Sequence, residues 1–216
     1  MSQFKSIMEQ LIKEAEDKAQ VDALSQAMGA GFQAMGDVNS KEDELKADVQ
    51  QADIKVTEAV GTIAVIGMLL AAPKVVELIA KGFAKVVGVF KKMFKPKQAK
   101  SEQEQSEMAS KIIEFTHKWH KSYIKGIKWI LKVSGMFDKA GIKGDSAQTK
   151  AAELIYYTLI AGLAVYSGIG AAGAFKSAAS SGAGGDFAIG TLEAAMASIK
   201  SGEVMEFLSK LGLKVA

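Results

Sequence analysis

The chain contains no cysteine and no arginine. Apart from two histidines, its 27 basic residues are all lysine, and only two prolines, Pro73 and Pro96, interrupt it. Each absence closes a class of chemistry. Without cysteine there is no disulfide framework, thiol nucleophile, cysteine zinc site or iron–sulfur cluster. Without arginine there is no arginine finger, no bidentate fork for phosphate and no arginine–guanine contact. Two histidines, His117 and His120, leave little for nucleophilic catalysis. What is present is foldable material: 216 residues, 49% hydrophobic and 24% charged, enough for one domain or two small ones.

The net charge of +3 hides a strong asymmetry. Residues 1–55 carry 6 lysines against 11 acids, whereas residues 111–150 carry 9 lysines against 3 acids. Residues 56–100 are also basic, and residues 151–216 are nearly neutral. Three regions follow: an acidic helical head (1–55), an apolar and basic centre (56–175), and a Gly/Ser linker with short C-terminal helices (176–216). An asymmetry of this kind points to a charged partner, either a membrane surface or nucleic acid.

Helical periodicity runs almost throughout, and no stretch alternates with period 2, so the expected fold is all-α, a helical bundle. Phe4, Ile7, Met8, Leu11 and Ile12 share one helical face, and the pattern continues through Leu24, Met28, Phe32 and Met35. Gly36 to Ser40 reads as a turn, followed by a second helix over 41–72. Pro73 suits the first turn of a third helix, 74–94. Ser101 and Glu104 form a capping box that opens a fourth, 102–134. After a loop from Gly135 to Gly144, Asp145 and Gln148 read as a cap opening a fifth helix, 146–175. Ser177 to Gly185 reads as a flexible linker, and short helices follow near 187–200 and 203–211.

Three segments suit a membrane. Ala59 to Pro73 has no charge over 15 residues, short of the roughly 20 a spanning helix needs. It reads as a buried core helix or as half of a central hydrophobic hairpin with the next helix. Lys74 to Lys95 is amphipathic, with Val75, Val76, Ile79, Phe83, Val86, Val87 and Phe90 on one face and Lys81, Lys85 and Lys92 on the rest. Leu154 to Phe175 runs 22 residues without a charge, through Ile160 and Gly168, and is the best spanning candidate. Within it Ala164, Gly168 and Ala172 set small residues at every fourth position. Between the last two segments, Lys118, Lys121, Lys125, Lys128 and Lys132 form one stripe, with Ile112, Phe115, Trp119, Ile127, Ile130 and Leu131 on the other side and Trp129 near the border; the lysines and both tryptophans are the candidate membrane or partner surface. Lysine and tryptophan at such a border are what interfacial helices use. If both uncharged segments spanned, the lysines would place residues 74–150 on the cytoplasmic side. A soluble bundle of this length also needs one or two wholly apolar central helices, so a core reading stands beside the membrane reading. The first 20 residues are charged and amphipathic, unlike a signal peptide.

Catalytic motifs mostly fail on context. Gly168, Gly170 and Gly173 match GxGxxG, with Glu193 at the right distance for a ribose contact, but the following residues dissolve into linker. Glu114, His117 and His120 fall at i, i+3 and i+6, half of a di-iron bundle motif whose second half is missing. Ser134, Ser146 and Ser167 lack an elbow motif, and Glu42, Asp43 and Glu44 read as a solvated helix start. The expectation is a non-enzyme with no cofactor and no metal.

The acidic helical head, the Ala/Gly/Ser-rich apolar segment 161–185, and the zero cysteine and arginine together resemble small structural proteins of tailed bacteriophage particles, especially from lysine-biased, AT-rich marine phages. The resemblance implies a non-catalytic virion component, internal or ejected, that meets the host membrane. Its partners would be other virion or assembly proteins and an anionic membrane, with an oligomeric state. Residues 1–55 would dock to the particle and residues 59–175 would be membrane-active. A soluble helical assembly protein, cytoplasmic or membrane-associated, is the alternative. Non-specific nucleic-acid packing is a further one, which the apolar face beside each lysine stripe argues against.

Overall fold

The computed structural model describes residues 18–19, 22–23, 25–54, 60–170, 173–178 and 188–214. They form helices and no strand. The first face identified in the sequence, Phe4 to Ile12, lies outside the described residues, as does residue 24. Helix α1 (25–35) buries Met28 and Met35, one on each side of the half-buried Phe32. A 3-10 turn, Gly36–Lys41, follows where the turn was expected. Helix α2 (Glu42–Gln51) buries only Leu45 and Val49, four residues apart, and exposes Asp43 and Glu44.

The expected single helix over 41–72 is two. Ala52 adopts extended backbone and ends α2, and α3 (Thr62–Leu70) starts afresh after Gly61. Helix α4 (Pro73–Met93) begins with proline at its first position, as expected. Its cap residue, Ala72, has no side chain able to accept an N–H bond. Asp48 of α2 does this from a distance: Oδ2 accepts from the backbone N–H of Lys74 at 2.8 Å and of Val75 at 3.4 Å. Lys74 returns the contact, with Nζ 2.9 Å from Glu44 Oε1. Helices α3 and α4 form a bent apolar pair, turning by 109° at Ala71–Ala72; this is the hairpin-like element of the bundle.

Helix α5 (Glu102–Val133) is the longest among the described residues, with 32 residues. Its capping box forms as the sequence implies. Ser101 Oγ accepts from Glu104 N at 3.2 Å, and Glu104 Oε2 accepts from Ser101 N at 2.8 Å. The expected loop after it contains a short helix, α6 (Met136–Lys139), entered through Gly135 in the left-handed region at φ 76. Helix α7 (Asp145–Tyr166) has Gly144 as its cap residue, with no side-chain bond, so the expected Asp145/Gln148 cap does not form. Asp145 is instead the first helical residue, and Gln148 Nε2 donates to the Ile142 carbonyl at 3.4 Å.

Helix α7 is the centre of the bundle. From Ala151 to Tyr166 every residue is buried except the half-buried Glu153 and Val165. Around it lie α3, α5, α9 (Ile189–Ala197) and α10 (Gly202–Lys210). Tyr156 is sealed inside and donates to the Thr116 carbonyl at 3.1 Å, satisfying its hydroxyl and holding α7 to α5. Phe83 and Tyr123 stack at 5.0 Å, with Tyr156 6.1 Å from Tyr123. Leu208 of α10 packs onto Gly162, where a Cβ would stand 2.5 Å from its Cδ2.

The expected fifth helix over 146–175 stops at Tyr166. Gly168 has φ 97, and a Cβ there would meet the Ala99 carbonyl oxygen at 2.7 Å. The loop before α5 comes close at this point: Lys97 N donates to Tyr166 O at 2.7 Å and Ala99 N to Ser167 O at 2.9 Å. The last carbonyls of α7 are thereby satisfied without water. Gly168 therefore serves a turn and a close backbone approach, and not helix–helix spacing with Ala164; Ala172 lies outside the described residues. Helix α8 (Gly173–Ala178) follows, with Phe175 fully buried. One contiguous hydrophobic core joins residues from Met28 to Leu213.

Candidate functional site

The exposed side of α5 is the most distinctive surface. Along it Lys121, Lys125, Trp129 and Lys132 follow at steps of four, four and three, and all are exposed. The opposite side buries Ile112, Tyr123, Ile127, Ile130 and Leu131, which fixes which face meets solvent. Trp129 keeps 38% of its surface exposed, among the few large apolar side chains that do. The side chain of Lys118 lies outside the described residues.

Two residues of the expected surface point elsewhere. Trp119 is half-buried and turned toward α1, where its Nε1 donates to Ser25 Oγ at 3.1 Å and its ring packs beside Gly29. Lys128 turns toward α7. Its Nζ donates to Asp145 Oδ1 at 2.6 Å and to Thr149 Oγ1 at 2.8 Å, and only 20% of the side chain stays exposed. The Lys128 hydrogen bond and charge hold the Asp145 carboxyl below its ordinary value. The α4 lysines form a separate face. Lys81 pairs with Glu77 at 2.7 Å, and Lys85 and Lys92 are exposed.

Beside the Lys128 tie, α5 and α7 enclose a cleft of about 520 Å³. Lys121 and Lys125 line one wall, and Asp145, Thr149 and Glu153 the other. Ile124 and Tyr157, both buried, lie between them, and Ala188 closes one end through its N–H, which donates to Tyr157 Oη at 2.8 Å. His120 also lines the cleft and is 6% exposed. Its Nδ1 sits 2.6 Å from the His117 carbonyl, which can only accept, so Nδ1 carries the proton. The two imidazoles stack at 5.3 Å, and Glu114 is exposed beside them. Among the described residues no group of three or more His, Asp or Glu side chains is placed to hold a metal ion.

The α7 wall of this cleft escaped the sequence reading. Asp145, Thr149, Glu153 and Tyr157 repeat every fourth residue, and that spacing was its signal. Leu154 and Ile160 are buried in the core. The glycines of the GxGxxG match follow helix α7, where a dinucleotide site needs a strand. Among the described residues no single helix is long and apolar enough to cross a membrane; only the bent pair α3–α4 passes by length and composition. Compared with known proteins, the chain matches no family model, no curated protein and no solved structure.

Proposed function

We propose that this chain is a non-catalytic structural protein of a virus particle that works by association, and that α5 carries its docking face toward an anionic membrane surface. The observation that carries the reading is the exposed row Lys121, Lys125, Trp129, Lys132 on one helix. Lysine stems lie along apolar surface while their ammonium groups meet phosphates, and an indole sits at the headgroup level. The contact is peripheral, because α7, the segment best suited by composition to enter a bilayer, is already spent as the core of the bundle. Other virion proteins are the partners on the acidic side, where α2 turns Asp43 and Glu44 outward.

A soluble assembly protein with no membrane role is the second reading, favoured by the burial of α7 from Ala151 to Tyr166 apart from the half-buried Glu153 and Val165. Flotation of the full chain with vesicles separates the two. With phosphatidylglycerol-containing vesicles at low salt, the protein is expected to float, and to be released as salt screens the lysines. Trp129→Ala is expected to weaken flotation while leaving the fold intact. A protein left wholly in the soluble fraction overturns the membrane contact and leaves the assembly reading.

A further inference from the structure

We infer that the cleft between α5 and α7 binds a small monoanionic amphiphile, an organic carboxylate or sulfonate attached to an apolar body. Its volume of about 520 Å³ is in the range of small-molecule sites, which run from about 300 to 1,000 Å³. The floor is apolar: Ile124 is 8% exposed and Tyr157 1% exposed, and both are held by the packing of long helices. Each end is fixed. Lys128 ties α5 to Asp145 and Thr149 at one end, and Tyr157 accepts the Ala188 N–H at the other. The cavity therefore does not need to be built by its ligand, which lowers the ordering cost of binding.

Charge sets the head group. The Lys128 ammonium is matched by the Asp145 carboxylate. Lys125 lines the same cleft, is exposed, and makes no hydrogen bond or ion pair with any described residue. It is the anchor for an anion at the mouth. Glu153 on the opposite wall limits that anion to a single charge, because a second would face a carboxylate. The inference does not rest on the vesicle contact, since it concerns a soluble ligand.

Titration calorimetry with naphthalene-1-sulfonate, in the absence of lipid, tests it on the full chain. Saturable binding at one site per chain is expected. Lys125→Met, an exposed substitution that keeps the stem, is expected to weaken it by about tenfold or more. Lys85→Met on α4 serves as the control and is expected to bind like the parent. Ala188→Trp, which fills the cleft, is expected to abolish binding, with circular dichroism confirming the helical fold. The neutral analogue naphthalene-1-methanol is expected to bind more weakly than the sulfonate. No saturable binding up to about 1 mM sulfonate, or equal affinity in the Lys125 and Lys85 variants, overturns the proposal.

Discussion

Lys128 Nζ lies 2.6 Å from Asp145 Oδ1, so the C-terminal part of α5 is tied to the first turn of α7. The lysine hydrogen bond, then its charge, depress the carboxyl below its ordinary value. A carboxylate with a depressed folded pKa contributes stability that is fully present above its unfolded pKa, near ~3.9, and is lost as pH falls through the folded value. Asp145→Asn has no such dependence. The gap in thermal midpoint between parent and variant is therefore expected to be steady near neutrality and to close as the pH drops from about 5 toward 3. Because 89% of the Asp145 side chain is exposed, salt is expected to narrow the same gap at neutral pH. Thermal melts across pH and salt check both; a gap that ignores pH removes the ion pair as its cause.

Helices α1 and α4 cross where both carry glycine. A Cβ at Gly31 would stand 1.9 Å from the Gly82 carbonyl oxygen and 2.4 Å from the Tyr123 hydroxyl. That hydroxyl lies 2.8 Å from the Met28 carbonyl and 3.1 Å from that of Gly82, and burial pushes its pKa far above the ordinary phenol value. Gly31→Ala must therefore move backbone or break this bond. Its expected cost is about 1–3 kcal/mol, typical of overpacking. Gly88→Ala is the counterpart on α4: nothing stands within 4 Å of its added methyl, and a helix gains roughly 0.5–1 kcal/mol from the exchange. Opposite shifts in denaturant midpoint are the expected result; two shifts of the same sign would contradict the crossing.

The contrast between those glycines shows what the sequence could and could not reveal. Local signals were legible: Pro73 opening α4, the Ser101–Glu104 box opening α5, and the apolar periodicity that fixes the buried face of each. Residues that act through distant neighbours were not. Gly31 carries no local signal of its role, although an added Cβ there would stand 1.9 Å from the Gly82 carbonyl oxygen of α4. Asp48 carries no local signal of its role, although it caps a helix 26 residues away. Trp119 falls on the apolar side of α5 by spacing, but its partner Ser25, 94 residues earlier, could not be read from that spacing. The break at Ser167–Gly168 was hidden for the same reason, since the loop that receives the last carbonyls of α7 belongs to residues 97–99.

The capping box on α5 matters more than most, because this helix carries both the exposed lysine and tryptophan row and one wall of the cleft. Ser101→Ala removes the acceptor for Glu104 N and is expected to cost about 1 kcal/mol. Ser101→Asp restores an acceptor and places a negative charge at the helix N-terminus, so most of the loss is expected to return. The Glu104 carboxyl, held below its ordinary value by the N–H groups of Ser101 and Lys100, keeps its role in both variants. Equal stability of all three proteins in urea would show that the first turn is frayed in solution.

Ile160 decides whether α7 is core or membrane segment in the isolated protein. It is fully buried, in a helix whose neighbours enclose it on all sides. Ile160→Ala removes apolar contacts and leaves a cavity, so the expected loss of stability in aqueous buffer is about 2–5 kcal/mol. Ile160→Lys would bury an ammonium with no acid beside it and is expected to abolish the cooperative fold. A segment that faced lipid or detergent would behave differently. There the alanine exchange would cost little, because its methyl groups would trade one apolar surface for another. Urea unfolding without detergent, followed by the same measurement in detergent micelles, separates the cases. A large loss in buffer that persists in micelles supports the core, whereas a negligible loss in both places α7 outside it.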